Sequence, residues 1–140
     1  MTPRPPARQE RCGRAEAGAR LGQADAYLAA ARLVVDDPTD VANPGVAAAP
    51  LAVLAGISAA DAACCARLAV RARGQDHRQA VALLGTVTPH GPAMAKDLER
   101  LLKRKDSVHY GATMISAAEG ARMVSWAVRL VGHAHAAVEA

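Results

Sequence analysis

The sequence predicts an all-α protein, an up-and-down antiparallel helical bundle of four to five helices, and three observations lead there. Composition is the first: 51% of residues are hydrophobic but only 2% are aromatic, and Phe is absent, so the core must be built from Ala, Leu and Val. Such small side chains suit closely approaching helices, whereas strands favour β-branched and aromatic runs. Second, apolar residues recur at three- and four-residue spacing through five segments. Third, the breaks between segments are short and rich in Gly, Pro, Asp and Asn, which makes successive helices antiparallel neighbours. A chain of 140 residues is one domain, long enough to bury a single core.

Taken in order, residues 1–12 read as a disordered basic leader, "MTPRPPARQERC", ahead of a helical domain over 13–140. From about Arg14 to Val35, the residues Ala17, Leu21, Ala24, Leu28, Ala31 and Val35 mark one helical face, closed by "DDPTD" and "ANPG". Val46 to Arg73 follows as a long Ala-rich helix with a Leu51, Leu54, Ile57, Ala60, Cys64, Leu68 stripe, stopped at Gly74. Asp76 is the expected N-cap of a short third helix that ends near Leu84. Pro92 suits the first turn of a fourth helix, with Met94, Leu98, Leu101, Leu102 and Val108 on one face. Ser116 and Glu119 spell a capping box for the last helix, which carries Ala117, Ala121, Val124, Val128 and Val131.

Formal charge is +4, a modest excess that favours acidic partners such as nucleic acid without demanding one. The three cysteines, Cys12, Cys64 and Cys65, lack C-x-x-C spacing, so Cys64 and Cys65 are expected to be small core residues in a reducing cytoplasm. No uninterrupted apolar run approaches the roughly 18 residues of a membrane span, and the opening lacks a signal-peptide core. A cytoplasmic protein with no membrane association is the expectation. No cofactor or metal is expected either: Glu-x-x-His, P-loop and zinc spacings are missing, and His133 and His135 point in different directions on a helix.

The densest chemistry lies in "LLKRKDSVHYG", residues 101–111. The apolar stripe of the fourth helix projects onto position 105, so a core position holds Lys105. Arg104 and His109 are the candidate catalytic pair, with Lys105, Asp106 and Tyr110 in support. A neutral His109 can take the proton of a ribose 2′-OH while Arg104 or Lys105 stabilises charge on the phosphorane, and neither role needs a metal. Five residues along an ideal helix amount to about 140° around it, so Arg104 and His109 converge only if the helix bends or ends, or if a second subunit completes the site. In the alternative reading, Lys105 snorkels from the core edge and His109 satisfies a carbonyl at a helix end.

"RKDSVHYG" near the end of a penultimate helix resembles the HEPN superfamily, whose mark is an Arg, four to six residues, then a His. Arg104 and His109 enclose four. "ADAYLAAARLV" (Ala24 to Val34) and "LAGISAADAACCARL" (Leu54 to Leu68) are similar to the first two helices of small actinobacterial members, and the resemblance spans roughly Gly13 to Glu139. It implies a homodimer that brings two motifs into one metal-independent, RNA-cleaving cleft, in a toxin or defence role with an antitoxin or nucleotidyltransferase partner. The non-catalytic members imply a second possibility, a module that binds nucleotide, RNA or a protein. Two departures stand out. Lys105 occupies the position after the Arg where the family places Asn, Asp or His, and Tyr110 follows His109 directly rather than two residues on.

Overall fold

The computed structural model describes residues 8–74, 76–110 and 114–140, and their side chains except at 40 and 107–110. Five α-helices dominate the described residues: α1 (Arg14–Asp36), α2 (Pro44–Leu68), α3 (His77–Gly85), α4 (Gly91–Tyr110) and α5 (Ala117–Glu139). A 3-10 turn, Pro38–Asp40, follows α1, and two short strands, β1 (Gln9–Arg11) and β2 (Val70–Ala72), pair antiparallel. The all-α bundle is the predicted class.

Cross-helix contacts fix the directions. Asp97 meets Arg129 and Arg104 meets Glu119, so α4 and α5 run antiparallel. Gly45 lies against Gly120, and Arg67 reaches the Ala140 carbonyl, so α2 and α5 are parallel. Cys12, just ahead of α1, is bonded to Cys65 near the end of α2, which makes those two antiparallel.

Helix ends follow local chemistry. The Asp76 carboxylate accepts from the Arg78 backbone N–H at 3.1 Å, and Ser116 Oγ accepts from the Glu119 N–H at 3.1 Å, as the capping patterns predict. Pro44 opens α2 after Asn43, which sits in the left-handed region at φ 105°. At the other end the chain leaves the helix at Ala69, with φ 60°, well before the expected Arg73. Val70–Ala72 instead become β2, because Gln9–Arg11 supply backbone partners in the register Gln9↔Ala72, Glu10↔Arg71, Arg11↔Val70. That pairing reaches back some sixty residues and leaves no local periodicity to read. It also places residues 9–11, expected within the leader, on the folded body; residues 1–7 lie outside the described residues.

The core has two textures. On α2, Ala48, Ala52, Ala55, Ala59, Ala62 and Ala63 are completely buried, while the larger Leu51 and Ile57 are half-buried and Leu54 is exposed. Of the expected stripe, Ala60 and Cys64 are buried while Leu51, Leu54, Ile57 and Leu68 form the rim; alanines make most of the core of this helix, because α1, α4 and α5 all pack on it. By length and hydropathy α2 qualifies as a candidate membrane span, but most of that window is buried inside the bundle. On α4 the large side chains do the packing: Met94, Leu98, Leu101 and Leu102 are buried as predicted. The buried face of α5 is Met123, Val124, Ala127, Leu130, Val131 and Ala134; Ala117 and Val128, expected inside, are exposed.

The cysteines differ from expectation. Cys65 forms a disulfide with Cys12, 5.2 Å apart at Cα, and only Cys64 is a free thiol. The vicinal pair does not bond to itself; adjacent helical residues point about 100° apart, which turns Cys65 toward the N-terminal segment and Cys64 into the core. Burial pushes the Cys64 thiol up to about 12, so it is a protonated packing group at neutral pH.

Candidate functional site

On α4, consecutive side chains fan out to different neighbours, as a helix requires. Arg104 forms an ion pair with Glu119 in the first turn of α5. Asp106 faces α3, its Oδ1 3.7 Å from His77 Nε2. Lys105 lies between them, half-buried over α2 beside Ile57. The side chains of His109 and Tyr110 lie outside the described residues, although α4 runs through Tyr110. Other cations of the basic stretch are engaged: Lys103 with Glu99 at 2.9 Å, and Arg100 with Asp97 at 3.5 Å. Asp97, almost fully buried, also receives Arg129 NH2 at 3.0 Å.

Lys105 borders two cavities. One is an apolar groove of about 360 Å³ lined by Val46, Pro50, Val53, Leu54, Ile115 and Met123. The other, about 320 Å³, is polar and lies between the second half of α2, β2, α3 and α4. Its charged lining is Asp61, Arg71, Arg73, Asp76, His77 and Lys105, set on an aliphatic floor that includes Ile57 and Leu98.

Most of these charges are already committed. Arg71 bridges two carboxylates, Glu10 Oε2 at 2.9 Å and Asp61 Oδ2 at 3.3 Å. Asp76 accepts from the Arg78 backbone and pairs with Arg8 at 3.3 Å. Both struts, Glu10 to Arg71 and Arg8 to Asp76, come from the N-terminal segment that Cys12 anchors to α2. Lys105 and Arg73 have no ion-pair partner among the described residues. Asp61 is largely buried, and that burial raises its carboxyl above the usual range, against the lowering pull of Arg71 and Arg20.

Lys105 and Asp106 are candidates in the sequence, and His77 of α3 meets Asp106. Asp61, Arg71 and Arg73 are not singled out there as a site. A usable signal was present, since Asp61 is the one acidic residue within the 25 residues of α2. His133 stacks on His90 at 4.3 Å while His135 meets Asp25 at 2.8 Å, so the two histidines diverge as expected. Among the described residues, no group of three His, Cys, Asp or Glu is placed to hold a metal ion. No family model matches the chain, and no curated protein or solved structure shows significant similarity to it.

Proposed function

We propose that this protein is a non-catalytic binding module that takes a phosphate-bearing ligand in the polar cavity under Lys105. The observation that carries this reading is the pairing pattern. Of the cations near the end of α4, Arg104 is held by Glu119 and Lys103 by Glu99, whereas Lys105 and a second cation of the cavity lining, Arg73, have no carboxylate partner among the described residues. Two such cations lining one cavity attract an anion, and a volume near 320 Å³ sits at the small end of ligand sites, which run from about 300 to 1000 Å³. The disulfide weighs toward an oxidising compartment rather than the expected cytoplasm, because glutathione keeps most cytosolic thiols reduced.

A second reading keeps the nuclease chemistry implied by the HEPN resemblance. Helix α4 continues past Arg104 through Tyr110, so positions 104 and 109 sit about 140° apart around its axis. The catalytic pair then belongs to two chains, Arg104 from one protomer and His109 from its partner in a homodimer, with RNA as substrate.

One experiment separates the two. Purified protein is incubated in EDTA with labelled single-stranded and structured RNAs, and in parallel titrated with inorganic phosphate. Binding of phosphate that falls about tenfold or more in Lys105→Gln and Arg73→Gln, with every RNA left intact, is the expected result. Metal-independent cutting that disappears in His109→Ala would replace the binding module with the dimeric nuclease.

A further inference from the structure

Building on the binding reading above, we infer that the cavity selects a small phosphomonoester carrying hydroxyl or amine donors, of sugar-phosphate size, and that Asp61 is the residue that reads those donors. Lys105 and Arg73 offer positive charge with no carboxylate partner among the described residues, so they take the phosphate. Asp61 spends Oδ2 on Arg71, and no donor among the described residues serves its Oδ1. No buried side-chain oxygen or nitrogen is left unpartnered among the described residues, so Oδ1 keeps solvent access. An accessible carboxylate oxygen on a largely buried side chain is a strong acceptor waiting for an N–H or O–H.

The remaining polar groups narrow the choice. Asp76 is taken up by the Arg78 backbone and by Arg8, and Arg71 by its two carboxylates. They act as struts, fixed by the N-terminal segment, and hold the rim in shape before a ligand arrives. His77, 3.7 Å from Asp106, adds one more polar edge at the α3 side. The floor is aliphatic, with Ile57, Ala60, Ala80, Leu98 and Leu102, and among the described residues offers no Tyr or Trp on which a base could stack. A ligand that carries both an anion and several hydroxyls satisfies the two cations and Asp61 together; inorganic phosphate brings Asp61 at most its own P–OH, and an RNA strand exceeds the volume.

Calorimetric titration of the disulfide-intact protein with ribose 5-phosphate, AMP and inorganic phosphate tests this. Ribose 5-phosphate is expected to bind about tenfold or more tighter than inorganic phosphate. That margin should vanish in Asp61→Asn, in which phosphate binding itself should strengthen because a negative charge leaves the cavity and Arg71 loses one partner; a cooperative thermal transition is the check that the variant is folded. If loss of the Arg71 bridge unfolds Asp61→Asn, Ala80→Met fills the cavity wall without touching a charge and should erase the same margin. Equal affinity for ribose 5-phosphate and inorganic phosphate overturns the role of Asp61 but leaves a phosphate site standing. AMP binding much more tightly than ribose 5-phosphate also overturns it, in favour of base recognition. Absence of binding by all three sinks both the inference and the binding reading on which it rests.

Discussion

The seam where α2 meets α1 and α5 and the flank where α3 and α4 lie over α2 are assembled from side chains of different size. In the seam, fully buried alanines and facing glycines bring backbones together: a Cβ on Gly120 would sit 2.8 Å from the Gly45 Cα. On the flank, Leu98, Leu101, Leu102 and Met94 supply the buried surface, and charged groups line the cavity beside them. Where backbones approach this closely neither solvent nor ligand enters, whereas larger side chains leave cavities at their margins. The polar cavity lies on the flank, and the apolar groove lies where Val46, Leu54 and Met123 border α2 and α5.

The largest effect on both regions is expected from loss of the disulfide. The Cys12–Cys65 bond closes a loop with a sequence separation of 53, for which chain entropy assigns a stabilisation of about 4 kcal/mol. Reduction, or Cys12→Ser, should lower the denaturation midpoint by a corresponding amount and also loosen the flank, because Arg8 and Glu10 lose their tether. If cavity residues kept full hydrogen-exchange protection after reduction, the strut account would be wrong. Next in size is Gly45→Ala. Its new methyl meets the backbone carbonyls of Ile115 and Ser116, which cannot rotate away, so a loss of about 2–3 kcal/mol is expected in chemical denaturation. A loss under about 0.5 kcal/mol would mean the seam is more compliant than described.

Gly22 provides the opposite case and sharpens the comparison. It lies inside α1 with nothing within 4 Å of an added Cβ, so Gly22→Ala should stabilise the protein by about 0.5–1 kcal/mol through helix propensity alone. The smallest effect is a pH dependence between α1 and α5. A hydrogen bond to Asp25 raises the His135 pKa, helped by Glu139 and opposed by burial. A raised folded-state value means the charged imidazolium stabilises the fold. That contribution is complete below the unfolded value of about 6.5 and is lost as pH rises through the folded one. The melting-temperature gap between the native chain and Asp25→Asn should therefore narrow from pH of about 5.5 to about 8; a gap that widened would reverse the assignment.

Much of this architecture was legible in the sequence, and the failures share a cause. Helix starts at Asp76 and Ser116 and the buried face of α4 were readable because capping and periodicity are local. The alanine face of α2 was missed because it is buried on several sides, and an apolar run without polar interruption has no unique inward direction. Strand β2, the Cys12–Cys65 bond and the Asp61 cavity all depend on residues 9–12 returning to the end of α2, a contact between distant parts of the chain. Lys105 was recognised as a cation in a core position from its place in the stripe; that it borders a polar cavity needed Asp61 and Arg73, which no local pattern connects to it.

The covalent link has a further consequence for how the chain tolerates being cut. Residues 12 to 65 enclose all of α1, the connection through Pro38–Asp40 and most of α2, so cleavage of that connection would yield two pieces that remain one molecule. A protein nicked there would migrate as intact until reduced, and the N-terminal piece would keep β1 bonded to β2 at the cavity rim. The connection between α1 and α2 is thus a place where new ends, or an inserted reporter, can be introduced while the ligand-facing side stays assembled.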